Sequence, residues 1–150
     1  MKSIILIFAI LFAGTVSYGQ IKDDDYKKMI DTAIVMQTNG SNKTPYRPGI
    51  YLIDAKDQGY MLTSAANKKK FGYINVYDKK NKNLLKKGIN AWKVLPVLSG
   101  NRLIIRVIDL NVIYRNNIYK FGNGGGAAVT FEYLCDKNKW VFKETNWSGL

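Results

Sequence analysis

The 150-residue chain has no histidine, one cysteine (Cys135), three prolines and only 11 acidic residues against 23 basic ones, a formal net charge of +12. Without histidine there is no imidazole base for a Ser-His-Asp or Cys-His nucleophile and no Cys/His zinc site. The usual pH switch near neutrality is missing too. A single cysteine excludes an intramolecular disulfide. Arginine is also scarce, with four Arg against 19 Lys. Proteins that read phosphates or base edges favour the bidentate guanidinium fork, so the composition speaks against a nucleic-acid partner. No motif calls for a cofactor or a metal.

What is present begins with an export signal. Lys2 precedes an unbroken apolar run at residues 4–13 (IILIFAILFA), and Ser17-Tyr18-Gly19 places small residues where a signal peptidase inspects the chain. Residues 1–19 therefore read as a signal peptide, and residues 20–150 as one domain. The apolar run is shorter than the roughly 20 residues a membrane-spanning helix needs. The most apolar later stretch, residues 103–114, is broken by Arg106, Asp109 and Asn111. The expectation is an exported protein, periplasmic or extracellular, with no transmembrane segment after cleavage. The mature chain keeps a net charge of +11, since only Lys2 is lost.

Residues 23–37 (DDDYKKMIDTAIVMQ) predict a helix. Three aspartates occupy its first turn, where carboxylates meet free N–H groups and the positive end of the helix dipole. Tyr26, Met29, Ile30, Ala33, Ile34 and Gln37 recur at the spacing of one apolar stripe, with Lys27, Lys28, Asp31 and Thr32 on the other face. Asn39-Gly40-Ser41 ends it, and Pro45 and Pro48 keep the following stretch extended. From residue 49 the period becomes that of strands: 49–53, 71–77, 91–98, 102–114, 118–121, 127–134 and 139–143. Ser99-Gly100-Asn101 and Asp136-Lys137-Asn138 supply turns. Pro96 suggests an edge or a bulge. Residues 83–92 read as a short helix interrupted by Gly88. The fold class is α+β, with one N-terminal helix packed on a curved, mostly antiparallel meander sheet. This order of elements resembles the cystatin-like and NTF2-like folds over residues 23–147. NTF2-like enzymes commonly work through a His-Asp pocket, and a chain without histidine inherits no such site. A small closed barrel of lipocalin type, with the helix at its periphery, is the alternative architecture.

Between residues 68 and 93 stand nine lysines and one acid, Asp78. Lys68, Lys69, Lys70, Lys79, Lys80, Lys82, Lys86 and Lys87, with Trp92 as an aromatic contact, make a candidate face for an acidic protein partner or an anionic envelope surface. The bland alternative is that these lysines only solvate loops and sheet edges. A second candidate is a ligand pocket: Asp109 and Asn111 share one face of an apolar strand, and with Tyr114 and Tyr133 would line a cavity for a small molecule or glycan. Asp109 with Glu132 would be the carboxylate pair of a hydrolase. Gly122, Asn123, Gly124, Gly125 and Gly126 lack the Lys-Ser/Thr and the helix of a phosphate loop, and read as a bulged connection or a lip over such a pocket. The functional expectation is a non-enzymatic exported binding protein, such as an inhibitor or an immunity-type neutraliser.

Overall fold

The computed structural model describes residues 23–40, 49–63 and 70–149. The expected signal peptide, Pro45, Pro48, Lys68 and Lys69 lie outside the described residues. Helix α1 runs Asp23–Gly40. Strands β1 (Ile50–Ile53) and β2 (Phe71–Tyr73) follow, then a 3₁₀ turn (Lys79–Asn81) running into α2 (Lys82–Lys86). Four long strands complete the domain: β3 (Ile89–Ser99), β4 (Arg102–Arg115), β5 (Ile118–Leu134) and β6 (Lys139–Ser148). They form one open six-stranded sheet in the order β2-β1-β3-β4-β5-β6. The fold is α+β, as the sequence predicts. The closed-barrel alternative is overturned, because β2 and β6 end the sheet as unjoined edges.

The last four strands are an antiparallel meander, whereas β1 pairs parallel to both β2 and β3. Two-residue turns explain the length of the hairpins. Gly100 takes φ +59° between β3 and β4, and both Asn116 and Asn117 take positive φ between β4 and β5. Asparagine tolerates the left-handed region, and two such residues match the twist of a tight hairpin. Pro96 sits in β3 beyond the stretch that β1 covers, so its missing N–H faces no neighbouring strand there. Residues 122–126 are not a connection: they lie inside β5, paired with β4 except for a bulge that skips Gly124. At Gly126 a Cβ would stand 2.1 Å from the Val107 carbonyl oxygen, so glycine is required by the close approach of β4.

Because side chains alternate along a strand, β4 serves two cores on opposite faces. Leu103, Ile105 and Val107 point to one face and pack with Met29, Ile30, Ala33 and Ile34 of α1, Trp92, Val94, Val129 and Phe131. Leu110, Val112 and Tyr114 point to the other and pack with Ile53, Ile74, Val76, Leu85 of α2, Ile89 and Ala91. Each core is covered by a different helix over a different half of the sheet. One expectation about α1 fails: Asp31 is buried, not on the solvent face. Its carboxylate accepts hydrogen bonds from the Tyr60 hydroxyl (2.9 Å), the Thr63 backbone N–H (2.8 Å) and the Thr63 hydroxyl, which ties the 60–63 loop to the helix. These donors satisfy a charge that would be costly to bury alone.

Candidate functional site

The structure gathers positive charge at one end of the sheet, where β3 starts and β4 finishes. Lys79 and Lys80 ride on the 3₁₀ turn, Lys82 and Lys86 on α2, and Lys87 just beyond it. Lys70 immediately precedes β2 at the same level. The β4–β5 hairpin adds Arg115 and Lys120. The cap folds this way for local reasons. Asp78 caps the 3₁₀ turn by accepting from the Lys80 backbone N–H at 3.0 Å, and Gly88 at φ +78° turns the chain into β3. Leu85 is the buried residue of α2 and pins it to the sheet, which leaves the lysines outside. Within 70–93 and 110–124 the acid is Asp78 alone, and it is bound by Lys80 through its backbone and its ammonium group, both at 3.0 Å. Those bonds, the backbone one foremost, hold the Asp78 carboxyl below its ordinary pKa.

Aromatic side chains border these cations. Tyr114 and Tyr119 pair across the hairpin with ring centroids 4.7 Å apart, and Tyr77 meets Tyr119 edge-on at 5.0 Å. The Lys82 ammonium stands 4.9 Å from the centre of the Tyr114 ring, a cation–π contact. Tyr77, Ile118 and Phe121 are exposed by 50%, 58% and 38%, so the end offers apolar contacts as well as charge. Tyr77 is anchored. Its hydroxyl donates to Asp57 at 3.0 Å, and the other Asp57 oxygen accepts from Lys93 at 2.8 Å. Burial first and this hydrogen bond second push the Tyr77 phenol above its ordinary pKa. Lys93, counted among the nine lysines, is therefore held in a partly buried ion pair with Asp57.

Trp92 is likewise corrected. It is 4% exposed and packs on Phe71 in the core under α1, so it cannot contact a partner. Even positions of β3 face α1, a parity that the lysine count did not reveal. Lys70, Lys79, Lys80, Lys86 and Lys87 are exposed and Lys82 half-buried. The residues that the sequence reading missed are Arg115, Tyr119, Lys120 and Phe121. An acid-free run from residue 110 to 131 and the Asn116-Asn117 turn are the signals that would have found them.

The expected pocket is not assembled. Asp109 and Asn111 share a face of β4, as predicted, but Tyr114 lies on the opposite face in the second core. Tyr133 pairs with Trp140 at the far end of β5, level with Asn101 and roughly 25 Å from Asp109 along the sheet. Asp109 and Glu132 also point to opposite faces, and Glu132 is held by Lys143 at 3.1 Å and Arg102 at 3.4 Å. The Lys143 bond, opposed by some desolvation and reinforced by Arg102, keeps the Glu132 carboxyl below its usual pKa. A two-carboxylate hydrolase site is thus not formed. A shallow cleft of about 250 Å³ does lie over Gly126 and Ala128, between Arg106, Asn123 and Ser148, and none of the four pocket residues lines it.

Among the described residues no group of three or more His, Cys, Asp or Glu could hold a metal ion, and no helix is long and apolar enough to cross a membrane. Comparison of the chain with protein-family models, with curated proteins and with solved structures found no match in any of the three.

Proposed function

We propose that the protein is an exported, non-enzymatic binding protein that docks the basic end of its sheet on an acidic surface of another protein, in the manner of an inhibitor or an immunity-type neutraliser. The observation that carries this reading is the cluster of Lys70, Lys79, Lys80, Lys82, Lys86, Lys87, Arg115 and Lys120 at one end of the sheet, with Asp78 as the acid of those segments and already bound by Lys80. Charge of one sign steers encounter with an acidic partner, and exposed rings beside it supply contacts that exclude water. Tyr77 and Phe121 are such rings, and Tyr77 is held in place by Asp57 and by the half-buried Tyr119. The nucleic-acid reading is not taken up, because lysines rather than arginines make up most of the cluster.

The test is affinity capture from the envelope fraction of the source organism with the 20–150 chain and with a variant carrying Lys79, Lys80, Lys82, Lys86 and Lys87→Gln. The reading expects one acidic protein on the unchanged chain at low salt, released by salt and absent from the variant. The same protein captured equally by both chains would remove the lysine face from the account.

A further inference from the structure

β6 pairs with β5 only from Gly126 to Leu134. On the side of β5 away from β4, residues 118–125 therefore have no strand beside them among the described residues. This open edge is long, and much of it is exposed: Ile118, Lys120, Phe121, Gly122, Asn123 and Gly124 all face solvent. Its upper limit is set by the bulge at Gly124, where the Gly125 N–H turns away from strand pairing and donates to the Asn123 side chain at 2.8 Å. Native domains rarely leave such a row of N–H and C=O groups uncovered, because it templates another strand.

We infer that this edge, from Ile118 to Asn123, is where the partner binds, and that it receives an extended acidic segment of the partner as an added strand. The inference rests on the reading of the basic end above and specifies how that end is used. Charge selects the occupant. A second copy adding this same edge would bring a second Lys120 close to the first beside the basic cap, an unfavourable like-charge approach. An acidic strand meets Lys120 on one face of the sheet and, on the other, the Tyr119 and Phe121 rings with Lys82 close behind at Tyr114. Backbone hydrogen bonds then supply affinity that depends little on side chains, and alternate side chains of the segment supply the choice of partner.

Strand addition has a signature that simple charge attraction lacks. The probe is an acetylated peptide of about ten residues alternating Glu and Val, which spans roughly 33 Å when extended. The control is the same peptide N-methylated throughout, which keeps every carboxylate and removes every N–H. Titration calorimetry of the full chain is expected to show the parent peptide binding at low salt and the methylated peptide weakened about tenfold or more, as several backbone hydrogen bonds are lost. Amide exchange at residues 118–123 should slow only with the parent. Arg115→Glu with Lys120→Glu should weaken the parent peptide without unfolding the chain. Equal affinity for the two peptides overturns strand addition and leaves the lysine reading standing. Failure of the parent peptide to bind at all also overturns it. Full affinity in the five-lysine variant, with the methylated peptide still weak, keeps the strand site and removes the cap from the proposed function.

Discussion

Strand β4 is shared by two halves of the molecule that are built differently. Toward Arg102 its inward residues Leu103, Ile105 and Val107 lie under α1, an 18-residue helix whose Met29, Ile30, Ala33 and Ile34 are all buried. Toward Arg115 its inward residues have switched face, and Leu110, Val112 and Tyr114 lie under a short cap to which α2 contributes only Leu85. The first half has a large apolar cover. The second has a small one, and five of the other nine residues of its cap, 78–87, are lysine. Charge differs in the same way: around Glu132 both signs meet in ion pairs with Arg102 and Lys143, whereas segments 70–93 and 110–124 of the basic end carry Asp78 as their one acid. The α1 half therefore has the larger apolar cover, and the cap half exposes the lysines to which the proposal above assigns partner binding.

Truncations in the two cores test that division most strongly. Trp92→Ala, under α1, should cost about 3–5 kcal/mol, and Leu85→Ala, under the cap, about 2–4 kcal/mol, both measured by urea denaturation. The Leu85 variant should in addition lose affinity for an acidic partner as the cap loosens, whereas a Trp92 variant that still folds should keep it. The reverse pattern would mean that the α1 half is the recognition surface.

A smaller effect is expected at the seam. Asp57, 8% exposed and at φ +60°, joins the 54–59 loop to Lys93 and Tyr77. Asp57→Asn leaves Lys93 without its counter-ion and should destabilise by about 1–3 kcal/mol. It should also free the Tyr77 ring, seen as a change in tyrosine environment by NMR. Neither change would show that the seam is not what positions Tyr77.

The smallest effect is one of pH. Burial first, then the neighbouring Asp31 charge and the hydrogen bond to it, raise the Tyr60 phenol well above its ordinary value of 10.0. A raised pKa means the folded chain holds that proton more tightly than the unfolded one, so the stabilisation is complete below pH 10 and is lost as pH climbs beyond it. Tyr60→Phe should therefore flatten the fall in stability above pH 10, at the expense of one hydrogen bond to Asp31 at all pH values. An unchanged alkaline slope would show that the 60–63 tie is not the titrating element.

Periodicity made the α1 stripe, the long strands and the Ser99-Gly100-Asn101 turn readable in advance, because each depends on local spacing. The parallel placement of β1 and β2 was not readable, since it depends on pairings between segments distant in sequence. The burial of Asp31 was hidden for the same reason: its partners, Tyr60 and Thr63, come from another part of the chain. The lysine segment and the nearby Tyr77 were legible in the sequence, but the aromatic companions from the β4–β5 hairpin were not. Trp92 was chosen for closeness in sequence, while the rings that border the lysines arrive through the hairpin that sets Tyr119 opposite Tyr114. Glycines 122–126 suggested a loop because loops and close strand contacts both require glycine, and only the register with β4 tells them apart.

The most direct test is amide chemical-shift mapping of the ¹⁵N-labelled chain titrated with the Glu-Val peptide at low salt. Perturbations gathered on residues 77–87 and 115–124, with α1 and the Trp92 core unmoved, are the predicted result. Perturbations centred on α1, or spread evenly over lysines of both halves, would contradict the account.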